Sequence, residues 1–225
     1  MTTTVFVTGS GTEVGKTFVL RQLVGALRHA GRTVHALKPI ASGFDAAHVQ
    51  DTDTGLLLAA LGLPLTAANL DAISPWRFAA PLSPDMAAAR ERRAIPFAAV
   101  VELCNAPSPA DVTLIEGIGG VMAPLDATHT VLDWIAAVGA PALLVTGSYL
   151  GSLSHTLTAL AALRSRACRV LGIIVSESAA QPVPAEETAA VLRRFCGSSP
   201  VHVLPRVTAA RAIDWLSLID AAGHG

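Results

Sequence analysis

Short runs of β-branched and other apolar residues alternate along this chain with longer amphipathic runs rich in alanine and leucine. This alternation predicts repeated strand–helix–strand units, in which helices cover both faces of a mostly parallel sheet. We therefore expect an α/β fold. The predicted strands are TVFVT (4–8), TVHALKP (33–39), DVTLIEG (111–117), PALLVTG (141–147), RVLGIIVS (169–176) and VHVLP (201–205).

Helical spacing of apolar residues is clearest directly after the first predicted strand. Apolar side chains at positions 19, 20, 23, 24 and 27 predict a helix from Lys16 to about Ala30, with Gly31 as its C-terminal cap. A short helix is also expected at about 84–92, inside a proline-rich excursion between strands. No linker or internal repeat divides the chain, so we expect one domain over residues 1–225.

Composition narrows the classes of partner and compartment. The 16 basic and 17 acidic residues offer no basic footprint for nucleic acid or an anionic membrane, so small-molecule partners are expected. Cysteines at 104, 168 and 196 form no CxxC pair, and the start has no signal-peptide pattern; both favour the cytoplasm. Residues 134–163 lack Asp, Glu, Lys and Arg, but internal glycines and a proline predict a strand, a loop and a helix here.

The stretch VFVTGSGTEVGKT, residues 5–17, joins the first predicted strand to the first predicted helix. Glycines let the backbone approach a phosphate chain, and the helix N-terminus adds a favourable dipole. Lys16 would reach the β and γ phosphates, and Thr17 would offer its hydroxyl to magnesium. Five residues separate Gly9 from Gly15, where four are usual. We therefore expect a phosphate-binding loop (P-loop) with one additional residue, in a single P-loop domain.

This loop resembles the variant P-loop of the dethiobiotin synthetase family, in which the longer spacing with a glutamate inside the loop is typical. Four further segments resemble the family in the same order: KPIASG (38–43), DTDTGLL (51–57), IEGIGGVMAPL (115–125) and GSYLGSLSH (147–155). The resemblance implies a homodimeric, magnesium-dependent ligase that closes the ureido ring of 7,8-diaminononanoate with CO2 and ATP. Dethiobiotin, ADP and phosphate would form through a carbamate and a carbamic–phosphoric anhydride.

The resemblance also implies catalytic and metal-binding roles. Lys38, at the end of the second predicted strand, would stabilise the charge of the carbamate and of the transferring phosphoryl group. Lys16 and Thr12 would act beside it. The magnesium ligands carried over are Thr17, Asp53 and Glu116. The segment DTD leaves Asp51 open as the alternative to Asp53, since either carboxylate can cap the helix that follows.

Further residues carry over to ATP and to the substrate. Those for ATP are Glu13, Val14, Gly15, Lys16, Thr17, Phe18, Asp53, Glu116, Gly117, Ile118, Gly119, Ser176, Glu177, Pro205, Arg206 and Val207. Those for the substrate are Ser42, Gly120, Gly151 and Ser154, of which Gly151 and Ser154 would face the substrate of the partner subunit. Many family members have asparagine where this chain has Ser176, and an amide reads adenine better than a hydroxyl does. Base selectivity therefore stays open.

Other members of the P-loop superfamily are the alternatives. A septum-positioning or partition ATPase would have an additional lysine early in the loop and a basic membrane-targeting tail, and this chain has neither. An amidotransferase of cobalamin synthesis would need a glutaminase domain that does not fit the length. A binding module without catalysis remains compatible with the motifs alone.

Overall fold

A computed structural model describes residues 2–206 and 213–224 of the chain. Its strands are β1 (Thr3–Gly9), β2 (Val34–Leu37), β3 (Ile40–Ser42), β4 (Trp76–Phe78), β5 (Val112–Glu116), β6 (Ala142–Gly147), β7 (Val170–Ser176) and β8 (Val201–Leu204). Its α-helices are α1 (Lys16–His29), α2 (Asp53–Leu61), α3 (Ala67–Ile73), α4 (Pro84–Arg90), α5 (Phe97–Asn105), α6 (Val131–Val138), α7 (Ser152–Ser165), α8 (Ala185–Phe195) and α9 (Trp215–Asp220). Within these described residues, 3-10 turns cover Val49–Asp51 and Ala221–His224.

The central sheet has six strands in the order β2-β5-β1-β6-β7-β8, and each neighbouring pair is parallel. Every residue of β5 and β6 is buried. Because successive strand residues point to opposite faces, this burial requires cover on both sides of the sheet. The α/β prediction and all six predicted strands are confirmed.

A second, smaller sheet was not predicted. It pairs β3 with β4 in parallel, so that Ile40 lies beside Trp76 and Ser42 beside Phe78. Each strand has three residues, and Pro39 directly precedes the first of them. Such short strands carry no readable alternation of apolar and polar residues. This small sheet nevertheless fixes the path of the chain that follows Lys38.

The predicted helices occur close to their expected bounds. The first is α1, and Gly31 follows its C-terminal cap with φ 78, a left-handed conformation that favours glycine. The short helix expected at 84–92 is α4. The apolar segment 134–163 divides into the end of α6, strand β6 and most of α7. Among the described residues, no helix has both the length and the apolar character needed to cross a membrane.

Strand order brings three loops together at the carboxyl edge of the sheet, where the strands end. Strand β5 lies between β2 and β1, so the residues after these three strands are neighbours in space. The chain moves from β5, on one side of β1, to β6 on the other side. Parallel sheets place their ligand sites at such a change of direction. The P-loop, Lys38 and Glu116 therefore converge there.

Helix α2 enters this edge through a close backbone contact. Thr52 caps the helix, with its hydroxyl oxygen accepting from the Gly55 amide at 3.1 Å. A Cβ at Gly55 would lie 1.9 Å from the Val49 carbonyl oxygen and 2.9 Å from Gln50 Cα. Only glycine allows the helix to approach the preceding turn so closely. This packing sets the position of Asp53.

We expect Gly55→Ala to lower the free energy of unfolding by about 2 to 3 kcal/mol, since the added methyl overlaps backbone atoms that cannot rotate away. Urea unfolding followed by circular dichroism measures the change. Gly25→Ala is the matched control, because Gly25 lies in α1 with no atom within 4 Å of a Cβ at that position. It should leave stability unchanged or raise it by up to about 1 kcal/mol. Equal effects of the two substitutions would contradict the packing argument.

Candidate active site

The P-loop connects β1 to α1 and contains two left-handed residues. Glu13 has φ 57, and Gly15, the residue that precedes the first turn of α1, has φ 95. A Cβ at Gly15 would lie 2.5 Å from the Ser176 hydroxyl oxygen, so strand β7 approaches the loop here as closely as glycine permits. The predicted strand, glycine loop and helix are thus in place, with the N-terminus of α1 open to an anion.

Lys16 is buried and directed back over the loop. Its ammonium group donates to the carbonyl oxygens of Gly11 at 2.8 Å and Gly119 at 2.9 Å, and so bridges the P-loop and the segment after β5. Burial, followed by the nearby charge of Lys38, lowers the pKa of Lys16 to about 8. A bound phosphate, which is negatively charged, would favour the charged form of Lys16. Lys16 and Lys38 are the only lysines among the 225 residues.

Lys38 forms the most deeply buried ion pair of the site. Its ammonium group lies 2.6 Å from Glu116 Oε1, 3.0 Å from the Gly117 carbonyl oxygen and 3.3 Å from Asp53 Oδ2. Burial alone would disfavour its charge, but the adjacent carboxylates of Glu116 and Asp53 outweigh burial and raise the pKa of Lys38. Lys38 is therefore a fixed positive charge at the edge of the sheet.

Thr17 lies between the same two carboxylates. Its hydroxyl oxygen is 2.8 Å from Asp53 Oδ1 and 2.7 Å from Glu116 Oε1. A hydroxyl has one proton and can donate to only one of them. Within the described chain, Glu116 Oε2 is buried without a hydrogen-bond partner. The hydroxyl proton cannot satisfy both carboxylates. The three side-chain oxygens of Thr17, Asp53 and Glu116 therefore suit a hard cation such as Mg²⁺.

The predicted metal ligands thus meet in space. Asp51, the alternative to Asp53, lies in the 3-10 turn with an exposed side chain that accepts from Gln50 at 3.1 Å. Across residues 2–206 and 213–224, no group of three or more His, Cys, Asp or Glu side chains is arranged to hold a metal. Magnesium commonly uses one or two carboxylates and completes its shell with phosphate oxygens and water. Two carboxylates and one hydroxyl therefore suffice.

A cavity of about 830 Å³ opens beside these charged groups. The predicted residues in its lining are Thr12, Glu13, Gly15, Lys16, Thr17, Phe18, Lys38, Ser42, Asp53, Glu116, Ile118, Gly119 and Gly120. A second wall was not predicted and is largely apolar. It consists of Pro81, Leu82, Ser83, Pro84, Ala123 and Pro124. Residues 123 and 124 lie in the segment IEGIGGVMAPL (115–125), which resembles the family. At 81–84 the only signal in the sequence was the spacing of prolines.

A smaller cavity of about 360 Å³ lies on the other side of the P-loop. It shares Glu13, Gly15 and Phe18 with the larger cavity, so the two adjoin. Of the predicted nucleotide residues, it is further lined by Val14, Ser176, Glu177 and Arg206. Pro205 precedes Arg206 in the chain but does not line the cavity. Val207 lies outside the described residues.

Besides Pro205, three predicted residues stand apart from both linings. Gly117 contributes its carbonyl oxygen to Lys38. Gly151 has φ 98 and precedes the first turn of α7, and Ser154 is exposed in that turn. Neither Gly151 nor Ser154 lines either cavity of this chain. Leu150, beside them, has 88% of its surface exposed.

Comparison with known proteins shows the family to which this chain belongs. A family model described as an AAA domain matches residues 3–216. The ATP-dependent dethiobiotin synthetase BioD of Methylobacterium nodulans is 49% identical over 201 residues, which cover 86% of this chain and 89% of the relative. The chain belongs to the dethiobiotin synthetase family. A second dethiobiotin synthetase, from Acidiphilium cryptum, is 44% identical over 97% of this chain and 98% of its own.

Solved structures share the fold at much lower identity. The septum site-determining protein MinD of Pyrococcus horikoshii, complexed with Mg-ADP, has a TM-score of 0.57 and 20% identity, covering 98% of this chain and 96% of its own. The signal recognition particle receptor FtsY of Elizabethkingia anophelis has a TM-score of 0.53 and 15% identity, covering 98% of this chain and 65% of its own. These likenesses confirm the P-loop α/β fold. Sequence similarity to synthetases separates this chain from the septum-positioning alternative.

Affinity for a phosphate ligand should weaken as pH rises through the pKa of Lys16. In the free protein Lys16 is charged below about pH 8 and neutral above it, and an anion binds the charged form. With ADP and a metal chelator, the dissociation constant should stay level up to about pH 7 and rise about fivefold between pH 8 and pH 9. Calorimetry measures it.

Lys16→Gln is the control for this titration, since it removes the titrating amine and should bind weakly at every pH. A wild-type dissociation constant that stays constant up to about pH 9.5 would contradict the lowered pKa of Lys16.

Proposed function

We propose that this chain carboxylates 7,8-diaminononanoate and closes its ureido ring, using CO2 and ATP and releasing dethiobiotin, ADP and phosphate. The observation that carries the proposal is the convergence of Lys16, Lys38, Thr17 and Glu116 on one cavity that faces an apolar wall. Charged groups on one side suit phosphate and carbamate, and the apolar side suits the hydrocarbon part of the substrate. Family membership supports the same reaction.

The reaction needs alignment and charge stabilisation more than a protein nucleophile. One substrate amine attacks CO2 and loses a proton to become a carbamate. A carbamate oxygen then takes the γ-phosphoryl group as its bond to ADP breaks. The second amine attacks the carbamoyl carbon and loses a proton, phosphate leaves with the bonding electrons, and the ring closes. Because the substrate supplies both nucleophiles, the protein acts by positioning and by electrostatics.

Lys38 holds the negative charge that accumulates on the carbamate and on the transferring phosphoryl group. Its raised pKa keeps it charged at neutral pH, so it stabilises anions without acting as a base. Thr12 and Ser42 line the same cavity and orient the substrate there. Lys16 binds the β and γ phosphates from the opposite side. Phosphoryl transfer thus takes place between two buried ammonium groups.

Thr17, Asp53 and Glu116 are the residues that would hold magnesium. The ion would neutralise charge on the phosphate oxygens when bound. The chain's own contribution is the fixed arrangement of three side-chain oxygens. The Thr17 hydroxyl lies 2.8 Å from Asp53 Oδ1 and 2.7 Å from Glu116 Oε1. Lys38 contacts the same two carboxylates, at 3.3 Å from Asp53 Oδ2 and 2.6 Å from Glu116 Oε1.

The nucleotide extends from the P-loop into the smaller cavity. Ser176, Glu177 and Arg206 line that cavity, and the Ser176 hydroxyl lies close to Gly15. A hydroxyl in this position offers a base less than a planar amide would. Most of the affinity for ATP therefore comes from its phosphates.

A homodimer in the cytoplasm completes the proposal, with one domain in each chain. Gly151 and Ser154 lie apart from the two cavities described above, which suits contact with the substrate of a partner subunit. The exposed side chains of Leu150 and Met122, with exposed fractions of 88% and 56%, supply apolar area for such an interface. Free cysteines suit a reducing compartment.

The function is tested by an ADP-release assay with magnesium, bicarbonate and ATP, run with and without 7,8-diaminononanoate. We expect the diamine to stimulate ATP cleavage, because the substrate provides the phosphoryl acceptor. Mass spectrometry should find one dethiobiotin for each ADP. Equal rates with and without the diamine, and no ring product, would refute the ligase function.

Lys38→Gln should lower turnover at least about 100-fold at saturating substrates while leaving much of the ADP affinity intact. That loss is typical when one preorganised charge is removed from a developing anion. Lys16→Gln should weaken ADP binding as well. Arg21→Gln, an exposed substitution on α1 that likewise removes a positive charge, is the control and should behave as wild type. A near-normal kcat for Lys38→Gln would exclude the assigned role.

A further inference from the structure

A chain of hydrogen bonds crosses the ends of β6, β7 and β8. It begins with a reciprocal pair: the Ser148 amide donates to Ser178 Oγ at 3.0 Å, and the Ser178 amide donates to Ser148 Oγ at 3.0 Å. Ser148 is fully buried. A Cβ at Gly147 would lie 2.6 Å from Ser178 Oγ, so the two loops are packed without spare room. The loop after β7 is thereby fixed to the loop after β6.

Gln181 extends this pair toward the smaller cavity. Ser148 Oγ donates to Gln181 Oε1 at 2.6 Å, and Gln181 Nε2 donates to Glu177 Oε1 at 2.9 Å. The planar amide is well suited to this bridge because it accepts at one end and donates at the other. Gln181 is half-buried and lies outside the cavity lining.

Glu177 continues the chain of hydrogen bonds to the next strand. Its second carboxylate oxygen, Oε2, accepts from the Arg206 amide at 3.0 Å. These contacts from Arg206 and Gln181 lower the pKa of Glu177 and keep it ionised. Glu177, Ser178 and Arg206 all line the smaller cavity. The far wall of that cavity thus depends on one carboxylate with a partner at each oxygen.

We propose that Gln181 is a positioning residue for the nucleoside part of ATP. It holds Glu177 in the rotamer that keeps the loops after β7 and β8 together, and so preserves the space beyond the P-loop in which base and ribose are bound. The inference rests on the proposed function only in taking ATP as the nucleotide. Gln181 lies apart from the P-loop, so phosphate binding proceeds without it.

The test compares a ligand that contains a nucleoside, ADP, with a phosphate chain that lacks one, inorganic tripolyphosphate; each is titrated by calorimetry with magnesium, and the change on substitution is compared. Gln181→Met keeps the length of the side chain and removes both hydrogen bonds. We expect it to weaken ADP binding about tenfold, the effect of losing hydrogen bonds at a partly buried charged group. Tripolyphosphate affinity should change less than about twofold. Val183→Ala, an exposed change in the same loop, is the control and should alter neither.

Gln181→Glu is the second variant, for use if Gln181→Met does not fold. It still accepts from Ser148 but sets a carboxylate against Glu177, so only one bond of the chain is lost. ADP affinity should fall at least as far as in Gln181→Met. Both variants should raise KM for ATP about tenfold in the ligase assay and leave kcat near wild type.

Unchanged ADP affinity in both variants would overturn the inference, as would an equal loss of ADP and tripolyphosphate affinity, which would indicate damage to the P-loop or the whole fold. Binding of the two ligands is measured without the diamine. A failure of the ligase function would therefore appear as a missing ring product, while a failure of this inference would appear in the ratio of the two affinities.

Discussion

The attraction between the Lys38 ammonium group and the Glu116 carboxylate, 2.6 Å apart, governs the arrangement of the carboxyl edge of the sheet. Both side chains are buried, and a buried charge without a partner is strongly destabilising. Lys38 follows β2 and Glu116 is the last residue of β5. The pair can form only if those two strands lie side by side. Strand order and electrostatics therefore support one another at the site.

The same ion pair explains why α2 must reach the edge of the sheet. One ammonium contacts Glu116 Oε1, while Glu116 Oε2 stays without a partner in the described part of the chain. Asp53, brought in by the close contact at Gly55, adds a second carboxylate beside Lys38 and Thr17. The resulting cluster lacks one cation, which makes it a receptor for a metal that arrives with phosphates.

Short apolar runs predicted the six central strands, helical spacing of apolar residues predicted α1, and a proline-bounded segment predicted α4. The P-loop carried enough local signal to predict phosphate and magnesium roles for Lys16 and Thr17, whereas the roles predicted for Lys38 and Glu116 came from the family resemblance. Strands β3 and β4 had no such signal, because three residues are too few to show alternation. The apolar wall at 81–84 and the bridge at Gln181 were missed because both depend on contacts between segments distant in sequence.

All of the lysine in these 225 residues lies inside the site, as Lys16 and Lys38, while every other basic side chain with a permanent charge is arginine. A protease that cuts after lysine but not before proline would thus find one target, the Lys16–Thr17 bond at the start of α1, because Pro39 follows Lys38. Its cutting rate would measure how often the P-loop opens. Isotope-labelled lysine would give two side-chain signals in a nuclear magnetic resonance spectrum, one from each ammonium. Because both lysines lie in the site, a lysine-specific label reports on the site alone.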